Sequence, residues 1–526
     1  MSPAFAVLTG GALALAWAAQ MARWLRVLQR EHYDPRAMSR FLGRWTSPPA
    51  PSARALGSRG PVGRAPRRPF TLSHALILVV VVSLLVRADA LLVAATVAYG
   101  ILCPVGLALR GRTGALVFTP RLTTTAVAAT VVSAALSALG LATARPYLGA
   151  VVAVWAVPPV LDLSTRLLRP LEERRARRFV ESAARRLAAV HPRVVGITGS
   201  FGKTSTKNHL AQLIQGARAV VATPRSYNNR AGLSRAINEG LVEGTEVFVA
   251  EMGTYGPGEI RELCRWFPPE VSVVTAIGPV HLERMGSLEV IETAKREITE
   301  RATTVVLNVD DARLAGWVPS LRSQGKRVVT AASAAAAEVR VALESDQWRV
   351  EVGGEEVART AAVAGLQATN VACAIGAALA LDVPLEAVVA GLARLAPVEH
   401  RQGVARAGSG VVVIDDTFNA NPASAMSALE TLRALEGPGR RVVVTPGLVE
   451  LGREQHAENL RLGRRIAALG AELVVVQRTN VVALALGYEG PFRRFDRRDQ
   501  AVEWVRANLR EGDAVLYLND LPDHYP

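Results

Sequence analysis

The stretch VVGITGSFGKTSTKNHL, Val194 to Leu210, decides the fold of the second half of the chain, because an apolar β-run passes through a glycine-rich loop straight into a helical pattern. Such a loop turns backbone N–H groups toward phosphate oxygens at the start of a helix. In this reading Gly199, Ser200 and Gly202 form the cradle, and Lys203 reaches the β- and γ-phosphates of ATP. Thr204, followed by Ser205, offers a hydroxyl to Mg²⁺. The match is to TGxxGKT and not to the strict phosphate-loop pattern, since Ile197 occupies the position of the first glycine.

Lysine usage sharpens the reading. The chain carries 61 basic residues, of which only Lys203, Lys207, Lys295 and Lys326 are lysine. Where arginine does nearly all the other cationic work, a retained lysine points to a need for an ammonium and not for any positive charge. Lys203 fits at once, Lys295 invites the same question, and Lys207 and Lys326 are equally well read as chance survivors.

Downstream, short apolar runs alternate with amphipathic stretches, the pattern of a mainly parallel α/β sheet. The clear strands are VVGIT, EVFVAEM, VSVVTAI, TVVLNV, VVVID, RVVVTPG, ELVVVQ and AVLYL. Ligands of such sheets gather at the carboxyl ends of strands. Glu251 ends one strand and is placed to serve as a second Mg²⁺ ligand beside Thr204; His281 follows another, and Lys295 lies within the helical stretch 287–301.

At 526 residues, with half of them hydrophobic and a mean hydropathy of +0.21, the chain is oily for an enzyme of this type. The apolar excess sits before about residue 165. Five membrane spans are expected, at 4–22, 71–86, 89–109, 122–143 and 147–164, each near the roughly 20 residues a bilayer requires. A cleaved signal peptide for the first span and buried core helices for the others are the competing readings. Eleven arginines between residues 23 and 68, with Arg110, Arg112 and Arg121, place the N-terminus outside and everything after Ser164 in the cytoplasm. The expected location is therefore the cytoplasmic membrane, multi-pass, with the chemistry inside. The arginine-rich run from Arg166 to Arg186 is expected to lie along the inner leaflet. The formal net charge of +15 is concentrated in these segments and speaks for lipid, with no nucleic acid expected as a partner. Cys103, Cys264 and Cys373 are odd in number and widely spaced, so neither a disulfide framework nor a zinc site is indicated.

Four motifs together, GITGSFGKTS, AEMG, PVHLERMGSLEVIETAKREI and DDTFNANPAS, resemble the Mur ligases, most closely the members that add D-alanyl-D-alanine in peptidoglycan synthesis. The resemblance runs from about Arg193 to the end. It implies an ATP-dependent amide ligase working through an acyl phosphate, with a P-loop central domain at 193–396 and a Rossmann-like C-terminal domain at 397–526, after a membrane region at 1–165 and a linker at 166–192. It further implies two Mg²⁺ ions, with metal residues Thr204, Glu251, His281 and a carbamylated Lys295. Catalytic roles fall to Lys203, Lys295, His281 and Arg401, the last contacting the γ-phosphate on domain closure. Asn370 is the implied nucleotide contact, an ordinary capping asparagine being the alternative, and Asp416 meets the ribose. Asn228 and Asn229 of YNNRAG line the acceptor side, while Asn419 and Asn421 of NANP face substrate, Asn421 also being a natural helix cap.

The resemblance also breaks in places. Leu366 and Phe418 stand where a histidine and a tyrosine are usual, a UDP-gripping N-terminal domain is not expected, and the tail YLNDLPDHYP lacks the usual basic finish. The implied partners are a muramoyl-peptide or lipid-linked acceptor, an amino donor such as D-Ala-D-Ala, the membrane and other cell-wall enzymes. A Mur-type ligase acting on another acceptor, such as a poly-γ-glutamate-like polymer, and a non-catalytic cell-wall scaffold remain open alternatives at this point.

Overall fold

A computed structural model describes residues 3–31, 33–34, 38–39, 41–42, 69–104, 107, 116–143, 145–224, 227–363, 365–396, 403–417, 420–435 and 439–519. They form two units, one up to Arg175 and one from Ala176 to Asp520.

The first unit is helical, with Pro3–Arg30, Pro69–Leu85, Asp89–Leu102, Pro120–Leu141, Leu148–Trp155 and the opening turns of Val157–Val190. This arrangement overturns the five expected spans, and with them the multi-pass placement in the cytoplasmic membrane and its orientation. Among the described residues, Pro120–Leu141 is the one helix long and apolar enough to cross a bilayer by length and composition, and the pair Leu148–Trp155 and Val157–Val190 is bent by 72° at its break. The physical reasons are local. The run expected over 89–109 stops at Leu102, just before Cys103 and Pro104, and the run over 147–164 breaks where Pro158 and Pro159 follow Trp155. The run over 71–86 makes a helix of 17 residues.

The first helix, expected to end at residue 22, continues to Arg30 and carries Gln20 and Arg23 into the interior of the unit. Gln20 Nε2 donates to the Cys103 carbonyl at 2.6 Å and Arg23 Nη1 to that of Gly100 at 2.6 Å. These donors pair carbonyls that the end of Asp89–Leu102 would otherwise leave unsatisfied.

In the second unit, the later turns of Val157–Val190 bury Val180, Ala183 and Leu187 with Val194, Leu233 and Phe248, and Arg186 Nε donates to the Leu241 carbonyl at 2.7 Å. The basic segment expected to lie on a lipid surface thus has one apolar face packed on the α/β core. Nine strands follow in one sheet, in the order β2 (Val220–Ala222), β3 (Val247–Glu251), β1 (Arg193–Thr198), β4 (Val271–Val274), β5 (Thr304–Asn308), β6 (Arg327–Ala332), β7 (Val339–Glu344), β8 (Gln347–Val352) and β9 (Glu355–Ala361). The first seven pair in parallel, and β8 and β9 add an antiparallel ribbon. Strand β1 is covered on both faces, which is why it reads as an unbroken apolar run. It is flanked by β3 and by β4, so the chain leaves it in opposite directions on its two sides. Ligand crevices open at the carboxyl end of such a strand.

A second sheet has six strands in the order β10 (Gly403–Arg406), β11 (Val412–Asp416), β15 (Ala514–Leu518), β12 (Arg441–Thr445), β13 (Glu472–Val476) and β14 (Arg493–Phe495). It is parallel except for β10 against β11.

The helix Lys203–Ile214 packs His209 inside the fold, and burial lowers its pKa from 6.5 to about 4. An unfolded chain would take up this proton near 6.5 while the folded chain resists it. The contribution is therefore complete above pH 6.5 and is lost as pH falls toward 4, by at most about 3 kcal/mol. Urea midpoints recorded from pH 7.5 to 4 should decline across this window, and His209→Gln should flatten that part of the decline.

Candidate active site

At the end of β1 the chain turns through Gly199, with φ of 152°, and Gly202, with φ of 84°, before Lys203 begins the helix. The space is as restrictive as the backbone: a Cβ on Gly199 would collide with Thr275 Oγ1, and one on Gly202 with Asn370 Oδ1. The loop is pinned to the segment after β4. Ser200 N–H donates to the Ala276 carbonyl at 2.8 Å, Ser200 Oγ donates to the Gly278 carbonyl at 3.0 Å, and Gly278 N–H returns a bond to Ser200 Oγ at 2.9 Å. Lys203 folds back over the loop, its Nζ donating to the Gly199 carbonyl at 2.7 Å. Ser205 is half-buried in the first turn.

Glu251, the last residue of β3, is 1% exposed and gathers three side-chain donors. Oε2 accepts from Thr204 Oγ1 at 2.9 Å and from Lys207 Nζ at 3.3 Å, and Oε1 accepts from Asn228 Nδ2 at 3.2 Å. The pair Thr204 and Glu251 is therefore assembled in space. Lys207, equally well read from the sequence as a chance survivor, is buried beside the carboxylate. Its signal was the i,i+4 spacing from Lys203, which puts both lysines on one face of the helix. The two acceptor-side asparagines separate, since Asn228 reaches Glu251 while Asn229 caps the helix Arg230–Gly240 by accepting from Gly232 N–H at 2.9 Å.

Lys295 lies on the helix Leu288–Arg296 with its side chain buried. Burial, assisted by repulsion from Lys203, holds its pKa well below 10.5, which favours the neutral amine. Among the described residues it makes no hydrogen bond or ion pair. A carbamate can form only on a neutral amine, and Thr204 and Glu251 are hard oxygen donors; both observations fit Mg²⁺ chemistry. Among the described residues no three His, Cys, Asp or Glu side chains converge as a ready-made metal cluster.

His281 takes the left-handed conformation, φ 52°, ahead of the short helix Leu282–Met285. Its Nδ1 donates to Glu450 Oε2, and its ring meets Tyr255 edge-on at 4.8 Å between centroids. Glu450 belongs to the turn after β12 and had no part in the sequence reading.

Asn370 is 6% exposed in the first turn of Ala368–Ala380. The N-cap of that helix is Gln367, so Asn370 is not a cap; its Oδ1 accepts from Thr206 Oγ1 at 3.5 Å and its Nδ2 donates to Gln367 Oε1 at 3.2 Å, packing it against the loop helix. Asp416 closes β11 at 4% exposure. Asn421 caps Pro422–Ala434 in a reciprocal box with Ser424, its Oδ1 accepting from Ala423 N–H and Ser424 N–H at 3.0 Å each. Arg401, Phe418, Asn419 and the tail from residue 520 lie outside the described residues.

Lys207 offsets a buried negative charge. Lys207→Met should destabilise the fold by about 3 kcal/mol, because Glu251 then keeps only neutral donors. Chemical denaturation of the variant against the parent checks this.

Comparison with known proteins agrees with this geometry. Residues 197–378 match the Mur ligase middle domain, and residues 400–518 match the Mur ligase glutamate ligase domain. The UDP-N-acetylmuramoyl-tripeptide–D-alanyl-D-alanine ligase of Mycobacterium tuberculosis is 32% identical over 371 residues, covering 65% of this chain and 70% of that one. The ligase of the same name from Bacillus subtilis is 27% identical over 335 residues, covering 62% and 72%. Among solved structures, the MurF ligase of Thermotoga maritima in complex with ADP superposes with a TM-score of 0.58 at 26% identity, covering 66% of this chain and 80% of that one. The chain belongs to the Mur ligase family of ATP-dependent ligases.

Proposed function

We propose that this ligase joins D-alanyl-D-alanine to the terminal carboxylate of a muramoyl tripeptide, the reaction named for its relatives, through an acyl phosphate. The observation that carries the reading is Lys295, a buried amine whose pKa is pushed down by burial and by the nearby phosphate-loop lysine, Lys203. A structural lysine needs neither property.

In this reading the nucleotide and both substrates meet between a central domain, 193–396, and a C-terminal domain, 397–526. Gly199, Ser200, Gly202 and Ser205 hold the phosphates, Asn370 and Asp416 take the nucleoside side, and Asn228 and Asn229, with Asn419 and Asn421, face the substrates. Mg²⁺ held by Thr204 and Glu251, with a second ion held by His281 and carbamylated Lys295, would neutralise charge on the transferred phosphoryl group.

Lys203 keeps its ammonium on the β- and γ-phosphates while an acceptor carboxylate oxygen attacks the γ-phosphorus. The bond from that phosphorus to the bridging oxygen breaks, and ADP leaves. Arg401 would add a second positive charge as the domains close. The neutral amine of the dipeptide then attacks the acyl carbon, loses its proton and expels inorganic phosphate. The buried walls around Lys295 and Glu251 limit water, which would otherwise hydrolyse the acyl phosphate.

Purified protein given ATP, Mg²⁺, D-Ala-D-Ala and UDP-muramoyl tripeptide should release phosphate and yield a product of the pentapeptide mass. Lys203→Ala and Lys295→Ala should each lower turnover by at least about a hundredfold. Lys295→Arg should fail as well, since a guanidinium cannot take up CO₂. Full turnover in any of the three would overturn the assignment.

A further inference from the structure

Two residues that are not glycine face each other in left-handed backbone conformations, His281 at φ 52° and Glu450 at φ 63°. Such conformations are strained for residues with a Cβ and persist where surrounding contacts over-determine them, often at functional sites. Here the two are joined twice. His281 Nδ1 donates to the Glu450 carboxylate, and Glu283 N–H donates to the Glu450 carbonyl at 3.2 Å. One partner belongs to the nine-stranded lobe and the other to the six-stranded lobe.

Both sides are rigidly mounted. Leu448 and Leu451, flanking Glu450, are buried. Asn459 accepts from Leu448 N–H at 2.8 Å and donates to the Leu448 carbonyl at 2.8 Å. Asn480 Nδ2 donates to the carbonyls of Pro446 and Leu448 at 3.0 Å each, and Asn519 Nδ2 donates to that of Gly447 at 2.7 Å. On the opposite side, His281 lies three residues beyond Gly278, which exchanges hydrogen bonds with Ser200 of the phosphate loop. Asp311 Oδ2 accepts from the N–H of Ile277, the residue before Gly278, at 2.7 Å.

We propose that Glu450 is a positioning residue that latches the six-stranded lobe onto the phosphate-loop side of the site and sets the tautomer of His281. With Nδ1 engaged by the carboxylate, Nε2 is the ring nitrogen left free to meet a metal. The lobe carrying the C-terminal chemistry and the histidine are thereby held together here by the two hydrogen bonds that Glu450 accepts from His281 and Glu283. The second half of this inference rests on the ligase reading above; the docking half does not.

The test separates the two. All three cysteines, Cys103, Cys264 and Cys373, are buried, so spin labels at Ser323→Cys and Ala507→Cys, exposed positions on the two lobes, report their separation selectively. In the full chain without substrates, Glu450→Ala should shift the distance distribution toward longer values. Glu450→Gln, which keeps an acceptor for Nδ1–H, should restore it in large part. His281→Ala should reproduce the shift, with no further change in the double variant. Mn²⁺ affinity, read by EPR, and kcat should each fall about ten- to a hundredfold in Glu450→Ala, with the KM for ATP unchanged. Unaltered distances in both Glu450→Ala and His281→Ala would overturn the latch, and Glu450→Gln behaving as Glu450→Ala would overturn the tautomer role. A Glu450-dependent distance in a chain that ligates neither UDP-muramoyl tripeptide nor any other acceptor would sink the function and leave the latch standing.

Discussion

The site depends on holding one carboxylate, that of Glu251, inside the protein and paired with a lysine. Removing a carboxylate from water carries a penalty of several kcal/mol unless charge and hydrogen bonds replace the lost hydration. Lys207, Thr204 and Asn228 provide that replacement, the first two from one helix and the third from a separate loop. Lys207 and Thr204 fix the rotation of the phosphate-loop helix, Asn228 fixes the loop before Arg230–Gly240, and the strand β3 supplies the acid itself. Satisfying one charge therefore sets the mutual position of three segments.

The same arrangement separates the roles of the lysines. Lys207 spends its charge on Glu251, whereas Lys203, one turn earlier, lies over the loop carbonyls. Lys295, buried and repelled by Lys203, has its pKa pushed well down. Three lysines thus sit in three electrostatic environments, set by burial and by neighbours and not by residue type.

Much of this was legible in the chain. Strands buried on both faces, such as β1, β3 and β4, appear as continuous apolar runs, and the residues that matter stand at their ends. The strands β7, β8 and β9 were missed because VRVALE, QWRVEV and EEVARTA alternate apolar and charged residues, though the Gly353–Gly354 turn between the last two was a usable hairpin signal. The pairing of Lys207 with Glu251 spans 44 residues and that of His281 with Glu450 spans 169, separations that only the folded chain brings together. In the helical unit, composition gave the apolar runs, but the positions where they break depend on Pro104, Pro158 and Pro159 and on the buried polar side chains Gln20 and Arg23. Asn421, in contrast, was readable as a cap because the proline after it and the serine at the third helical position are local signals.

The antiparallel ribbon has a consequence for how the protein coexists with copies of itself. A nine-stranded sheet ending in an apolar strand would offer its unpaired backbone groups to any passing strand. Here the last strand, β9, carries Glu355, Glu356 and Arg359, and Arg359 and Arg349 interlace with Glu344 and Glu356 in ion pairs of 2.8 to 3.3 Å. A second sheet edge could dock there only by stripping water from these charges, so the border of the sheet resists edge-to-edge aggregation.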